Sequence, residues 1–179
     1  MRTVDVTDHS ITTLILDRIK AYSDLIKLRL SALVTFSAVF GYILGDTGIS
    51  FGWSGFFGLT LGGFLISGAS GAANEIMERD LDKLMKRTQN RPLPLQLISL
   101  QEAYLFTSLV AVVGIGLLWL FTNPLTTLLG ILSMVLYVFV YTPLKRVGPI
   151  AVFVGAIPGA MPPLLGWTCL LYTSDAADE

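Results

Sequence analysis

Ala103–Leu144, AYLFTSLVAVVGIGLLWLFTNPLTTLLGILSMVLYVFVYTPL, runs for 42 residues without an Asp, Glu, Lys or Arg. One membrane-crossing helix takes about 20 predominantly apolar residues. The stretch is therefore long enough for two, and Thr122-Asn123-Pro124 supplies a turn signal near its middle. Two shorter charge-free runs flank it, Thr47–Asn74 and Val147–Ser174, of 28 residues each. Over all 179 residues, 53% are apolar and 14% charged, whereas a soluble domain carries about 25% charged residues. The mean hydropathy of +0.69 agrees. These patterns exclude soluble globular, disordered, collagen-like and disulfide-scaffold proteins, and predict an all-α integral membrane helix bundle.

The other global features are quieter. A net charge of −1 and the lack of a basic block point away from nucleic acid. The single cysteine, Cys169, allows no internal disulfide and no thiolate metal site. Asp5, Asp8 and Asp17 are wrong for a cleavable signal peptide, so the first span is expected to serve as the insertion signal.

Working outward, an N-terminal segment (1–29) precedes a transmembrane domain (30–168), with spans predicted near 30–45, 51–73, 103–121, 125–144 and 148–167. In the first segment Ile11, Leu14, Ile15, Arg18 and Ile19 give a helix with one apolar stripe, suited to the membrane interface or to a cytosolic lead-in. All twelve Lys and Arg fall before Ser31, between Arg79 and Arg91, or at Lys145-Arg146, which are alternate loops of the five-span plan. The opposite loops contain only Asp46. The positive-inside rule then places the N-terminus, 74–102 and 145–147 in the cytoplasm and the protein in the inner membrane. Gly58/Gly62, Gly155/Gly159 and the run Gly68–Ala73 offer small faces, for close helix packing or as room for a ligand. Pro158, Pro162 and Pro163 each lack a helix donor. Broken backbone is expected in that span, and such backbone lines a cavity or lies within protein.

The chemistry concentrates after the second span, in Asn74-Glu75-Ile76-Met77-Glu78-Arg79-Asp80-Leu81-Asp82. Residues four apart on a helix are separated by about 40°, so Asn74, Glu78 and Asp82 form one oxygen-bearing stripe. Asp80 is rotated away and Glu75 lies near the edge. Stacked carboxylates repel one another, and a divalent cation would relieve that. Mg²⁺ takes hard oxygens and commonly bridges carboxylates to substrate phosphate. The simpler alternative is a solvated helix end with Arg79, Lys83 and Lys86 pairing to the acids. Lys86, Arg87 and Arg91 follow at once, and Lys27, Arg29, Lys145 and Arg146 lie on the same membrane side, all suited to an anionic ligand. Asn74, Glu78 and Asp82 are expected to face one cavity, with Lys27 or Arg29 and Lys145 or Arg146 on its wall. An amphiphilic phosphorylated substrate is indicated.

The stripe resembles the first acidic motif of the UbiA superfamily of intramembrane prenyltransferases, Asn-x-x-x-Asp-x-x-x-Asp, with Glu78 at a position where Asp is usual. Lys86-Arg87-Thr88-Gln89-Asn90-Arg91-Pro92-Leu93, Tyr141-Thr142-Pro143-Leu144-Lys145-Arg146 and Gly159–Trp167 are similar to the branch that farnesylates heme B. The resemblance covers about Ile26 to Trp167; Leu28 stands where that branch often has Pro. It implies a Mg²⁺-dependent enzyme with heme B and farnesyl diphosphate as substrates, heme O as product, and heme-pathway membrane proteins as partners. It implies Asn74, Glu78 and Asp82 as catalytic and metal-binding residues, and Lys27, Arg29, Arg87, Arg91, Tyr141, Lys145 and Arg146 as diphosphate contacts. Transfer to a quinone precursor, or a non-catalytic transport or assembly role, remain open alternatives.

The superfamily has about nine spans and a second acidic motif, neither of which this chain completes. Cys169–Glu179 reads as one frame of a transposase-type sequencing adapter, so native sequence is expected to end near Thr168. The 179-residue chain alone is accordingly expected to be inactive.

Overall fold

The computed structural model describes residues 11–45 and 51–175, and the described part of each charge-free run is mainly helical. The helices are α1 (Ile11–Leu25), α2 (Leu28–Gly45), α3 (Trp53–Asp82), α4 (Leu100–Phe121), α5 (Pro124–Val135), the single turn α6 (Thr142–Leu144) and α7 (Ile150–Asp175). A π-helical segment, Leu136–Tyr141, joins α5 to α6. Among the described residues there is no strand, and five helical segments are long and apolar enough to cross a membrane. Asp5, Asp8, His9 and Asp46 lie outside the described residues.

The ends of these helices follow from local chemistry. Ser99 and Glu102 make a capping box at the start of α4, each side chain accepting the other's backbone N–H. Asn123 caps α5 by accepting Thr126 N–H at 2.8 Å, with Pro124 at the first helical position, where a missing donor costs nothing. The Asn123 amide also donates to Thr168 O at 3.0 Å, tying α5 to α7.

α3 is the centre of the bundle. It packs on α2 and α4, while α7 lies against α2 and α5. One core cluster gathers Ala38, Tyr42, Leu59, Ile66, Leu118 and Leu165. A second, with Leu25, Ala72, Ile76, Leu93 and Ile98, docks the end of α1 and the 83–99 connection on the charged end of α3. Residues 13–20 of α1 are exposed all round, so the stripe of Leu14, Ile15 and Ile19 packs on nothing within the bundle.

Two features differ from the sequence reading. The second span does not stop at 73: α3 continues to Asp82, so the acid stripe extends a membrane-length helix. The fifth span is not broken. α7 runs unbroken through Pro158, Pro162 and Pro163, although by geometry the carbonyls of Val154, Pro158 and Gly159 lose their helical donors. Here α7 makes a backbone-close crossing with α2, where a Cβ on Gly41 would overlap the Pro163 carbonyl and one on Gly166 the Ala38 carbonyl. The disturbed helix is instead the fourth span. Pro143 cannot donate to the carbonyl four residues back, and the preceding backbone widens so that Thr142 N–H bonds Tyr137 O, five residues back. Such π segments are frequent at functional sites.

Candidate active site

The acid stripe is buried. Asn74, Glu78 and Asp82 are 3%, 6% and 2% exposed, and each has a defined partner. The Asn74 amide donates to Glu78 Oε2 at 3.1 Å. Its own Oδ1 lies 3.0 Å from the Thr142 hydroxyl, which also sits 2.9 Å from Tyr137 O. That hydroxyl has one proton, so it serves one of these acceptors at a time. Lys145 Nζ lies 2.9 Å from both carboxylate oxygens of Glu78. Arg91 Nη1 donates to Asp82 Oδ2 at 2.6 Å, from a loop folded back by successive turns, with Thr88 bonded to Asp82 O at 3.1 Å.

The simpler sequence alternative had Arg79, Lys83 and Lys86 neutralising these acids. They do not. Arg79 and Lys83 pair with the outward Asp80, at 3.4 and 3.1 Å, and Lys86 is exposed. The cations on the stripe come from distant sequence: α3 meets the turn after α6 and the loop before α4.

Directly below the stripe, α2, α3, α5 and α7 enclose a largely apolar cavity of about 550 Å³. Lys27 and Tyr141 line it, and Tyr141 stacks on Tyr137 with ring centroids 5.4 Å apart. Lys27 links α1 to α2 with a φ of +49°, a left-handed conformation uncommon for a lysine. Gly68 and Gly71 of α3 make room for this link: added Cβ atoms would lie 3.2 Å from Ile26 Cβ and 3.5 Å from Lys27 Cδ. Burial is the main cause that holds the Lys27 ammonium below the usual lysine range, with the Arg91 charge adding to it and Glu75 and Glu78 opposing.

Thus Asn74, Glu78 and Lys145 form one bonded set and Asp82 and Arg91 a second on the same helix face, with Lys27 and Tyr141 on the adjoining cavity. Contrary to the sequence expectation, the three stripe residues do not line that cavity; the carboxylates of Glu78 and Asp82 are turned into ion pairs and the Asn74 oxygen toward the Thr142 hydroxyl. Arg29 and Arg87 are exposed and away from the cavity lining, and Arg146 donates to Met77 O at 3.0 Å on the outside. Two residues were missed. Thr142 was legible only as part of Tyr141-Thr142-Pro143. Glu75 is 1% exposed, lies in the field of Lys27 and Arg91, and has one oxygen without a hydrogen-bond partner among the described residues.

The family model for the UbiA prenyltransferase family matches residues 34–177. The chain belongs to the UbiA prenyltransferase family. Its relatives include a protoheme IX farnesyltransferase of Cytophaga hutchinsonii, 44% identical over 83% of this chain and 51% of that protein. Another from Christiangramia forsetii is 47% identical over 82% of this chain and 48% of the relative. The chain spans about half the length of the curated relatives it matches. A UbiA homologue from Archaeoglobus fulgidus, solved with DMAPP and Mg²⁺, superposes with a TM-score of 0.71 at 19% identity, over 83% of this chain and 54% of that one. That likeness shows the UbiA helix-bundle fold. The same protein solved with GPP and Mg²⁺ superposes with a TM-score of 0.68.

The donor set also bears on a metal. Among the described residues no three His, Cys, Asp or Glu side chains gather closely enough to hold a metal by themselves. Two carboxylates and an amide on one face suit a Mg²⁺ that would take its remaining ligands from water and phosphate.

Proposed function

We propose that this chain carries the prenyl-diphosphate-binding half of a membrane enzyme that transfers the farnesyl group of farnesyl diphosphate to a vinyl group of heme B, giving heme O. One observation carries this reading: the Asn74–Glu78–Asp82 stripe, with Glu78 paired to Lys145 and Asp82 to Arg91, stands beside an apolar cavity lined by Lys27 and Tyr141. The names of the relatives support the acceptor and the donor.

In the structure each carboxylate is neutralised by a cation. Separating such a buried pair without replacement costs about 3–5 kcal/mol. A diphosphate offers a matched exchange: Lys145, Arg91 and Lys27 would turn to its oxygens, which would free Glu78, Asp82 and the Asn74 amide oxygen, the residues that would hold Mg²⁺. When bound, Mg²⁺ would neutralise charge growing on the departing diphosphate. The allylic carbon–oxygen bond breaks with its electron pair leaving on the diphosphate. The heme vinyl carbon then captures the allylic cation, and water adds to the other vinyl carbon, its surplus proton passing to the released diphosphate or to solvent. The cavity wall keeps water from the cation before capture, and the Tyr137–Tyr141 pair puts electron-rich rings beside it. The positive-inside pattern supports a cytoplasmic network and an inner-membrane location.

The test is Mg²⁺-dependent binding of farnesyl diphosphate to the chain in lipid nanodiscs, with heme O formation assayed on a protein of the relatives' full length carrying this segment. Asp82→Ala should abolish the Mg²⁺ dependence and turnover, and Glu78→Asp should keep both. Full activity in Asp82→Ala would remove the metal role. Prenylation of 4-hydroxybenzoate without heme O would reassign the acceptor, and no binding of any prenyl diphosphate would refute the enzyme reading.

A further inference from the structure

We infer that the cavity is a gauge for prenyl chain length, with Gly63 as the position that admits the third isoprene unit and Leu59, Leu118 and Leu165 as the floor. The inference rests on the function proposed above and adds to it which residues select the donor.

Two helices measure the same depth. On α3, Gly71 marks the rim, because its added Cβ would lie 3.5 Å from the Lys27 side chain. Leu59, on the cavity lining at the other end, is twelve residues away, or about 18 Å at the helical rise. On α7, Gly155 marks the rim, since an added Cβ would meet the Tyr141 ring at 2.7 Å. Leu165 is ten residues on, about 15 Å. Leu59 and Leu118 are fully buried at 0% and Leu165 is 6% exposed, so three side chains from three helices close the far end. At ordinary carbon–carbon bond lengths an extended chain spans about 10 Å for two isoprene units, about 15 Å for three and about 20 Å for four. Three fit between rim and floor.

The walls are open at two depths. Gly63 and Gly159 both line the cavity, and a Cβ on either would meet nothing within 4 Å. This is not a general property of the glycines here. At Gly62 the same atom would come within 2.9 Å of Leu118, and at Gly130, on the floor, within 2.9 Å of Leu118 again. Gly63 lies eight residues below Gly71, about 12 Å down, level with a third unit. Gly159 lies four residues below Gly155, about 6 Å down, level with the second. A leucine at 63 therefore fills space that only a three-unit chain reaches, and one at 159 fills space that a two-unit chain already needs.

The experiment measures binding of geranyl, farnesyl and geranylgeranyl diphosphate, with inorganic diphosphate as reference, to the full 179-residue chain in nanodiscs with Mg²⁺. Burial of one more isoprene unit should tighten binding from geranyl to farnesyl by about tenfold or more, with no further gain for geranylgeranyl. Gly63→Leu should weaken farnesyl by about tenfold and leave geranyl within about twofold, while Gly159→Leu weakens both. Thermal unfolding of each variant, with Gly63→Ala as a smaller step, separates lost space from lost structure. Equal weakening of geranyl and farnesyl by Gly63→Leu in a folded protein would overturn the gauge. So would steadily tighter binding of longer chains by the unaltered protein. If inorganic diphosphate binds but tails of every length add nothing, the gauge fails and the charged site stands. If nothing binds, the proposed function itself fails.

Discussion

Gly62 and Gly63 are neighbours in the chain and opposites in the fold. A methyl group on Gly62 would press within 2.9 Å of Leu118 and 3.0 Å of the Gly114 carbonyl, whereas one on Gly63 would meet nothing. A turn of about 100° on one helix separates a face that seals α3 to α4 from a face that opens on the cavity. Small residues therefore carry two unrelated jobs in this bundle. At Gly58 and Gly62 they let backbones approach, which is how helices associate without a hydrophobic driving force in lipid. At Gly63 and Gly159 they leave open space on the cavity lining.

The sharpest way to break the packed side is at the crossing of α2 and α7. A Cβ on Gly166 would overlap the Ala38 carbonyl and come within 2.9 Å of Gly41 C, all of it backbone. No side chain can rotate to relieve that. Gly166→Ala should therefore cost about 3 kcal/mol or more, seen as loss of a cooperative unfolding transition in nanodiscs. Gly62→Ala is gentler, because Leu118 is a side chain with some freedom; about 1–3 kcal/mol of destabilisation is expected. Gly63→Ala should change sign. With nothing to displace, it gains roughly 0.5–1 kcal/mol from helix propensity. If Gly62→Ala and Gly63→Ala shift the unfolding midpoint in the same direction, the distinction between the two faces is wrong.

Sequence spacing reached only part of this. The charge-free runs pointed to four of the five membrane-length helices, and the apolar stretch before Asp46 to the first, because a bilayer imposes length and apolarity directly on each helix. The i, i+4 stripe was legible for the same reason: its geometry is internal to one helix. What the stripe touches was not. Arg91 and Lys145 stand out from Lys86, Arg87 and Arg146 only once the loop turns back on Asp82 and the fourth span delivers its end to Glu78. The GxxxG pattern at Gly155/Gly159 looked the same as that at Gly58/Gly62, yet one pair seals a helix contact and the other faces Tyr141 and open space. Proline misled in a similar way. Three prolines left α7 continuous, whereas a fourth, Pro143, follows a widened π segment beside the site.

The smallest expected effect lies at the rim, where the two faces of α3 meet at Gly71 and Lys27. Burial holds the Lys27 ammonium below the ordinary lysine range, with Arg91 reinforcing the shift. Its charge is therefore lost on raising the pH before that of an exposed lysine. If Lys27 holds a diphosphate oxygen, capture of farnesyl diphosphate must weaken over that same rise, since the neutral amine offers no charge-assisted bond. The effect on folding has the opposite sign. Between the lowered folded value and the ordinary unfolded one, the unfolded chain binds the extra proton, so stability from this group rises with pH and is lost as pH falls through the folded value. Binding and stability thus move apart as pH rises, a pairing that damage to the fold would not produce. Lys27→Arg separates the two readings, because guanidinium stays charged throughout. It should flatten the pH dependence of binding while keeping binding itself. A binding profile that falls equally steeply in Lys27→Arg would place the titrating group elsewhere and leave the left-handed Ile26-Lys27 link as a packing device alone.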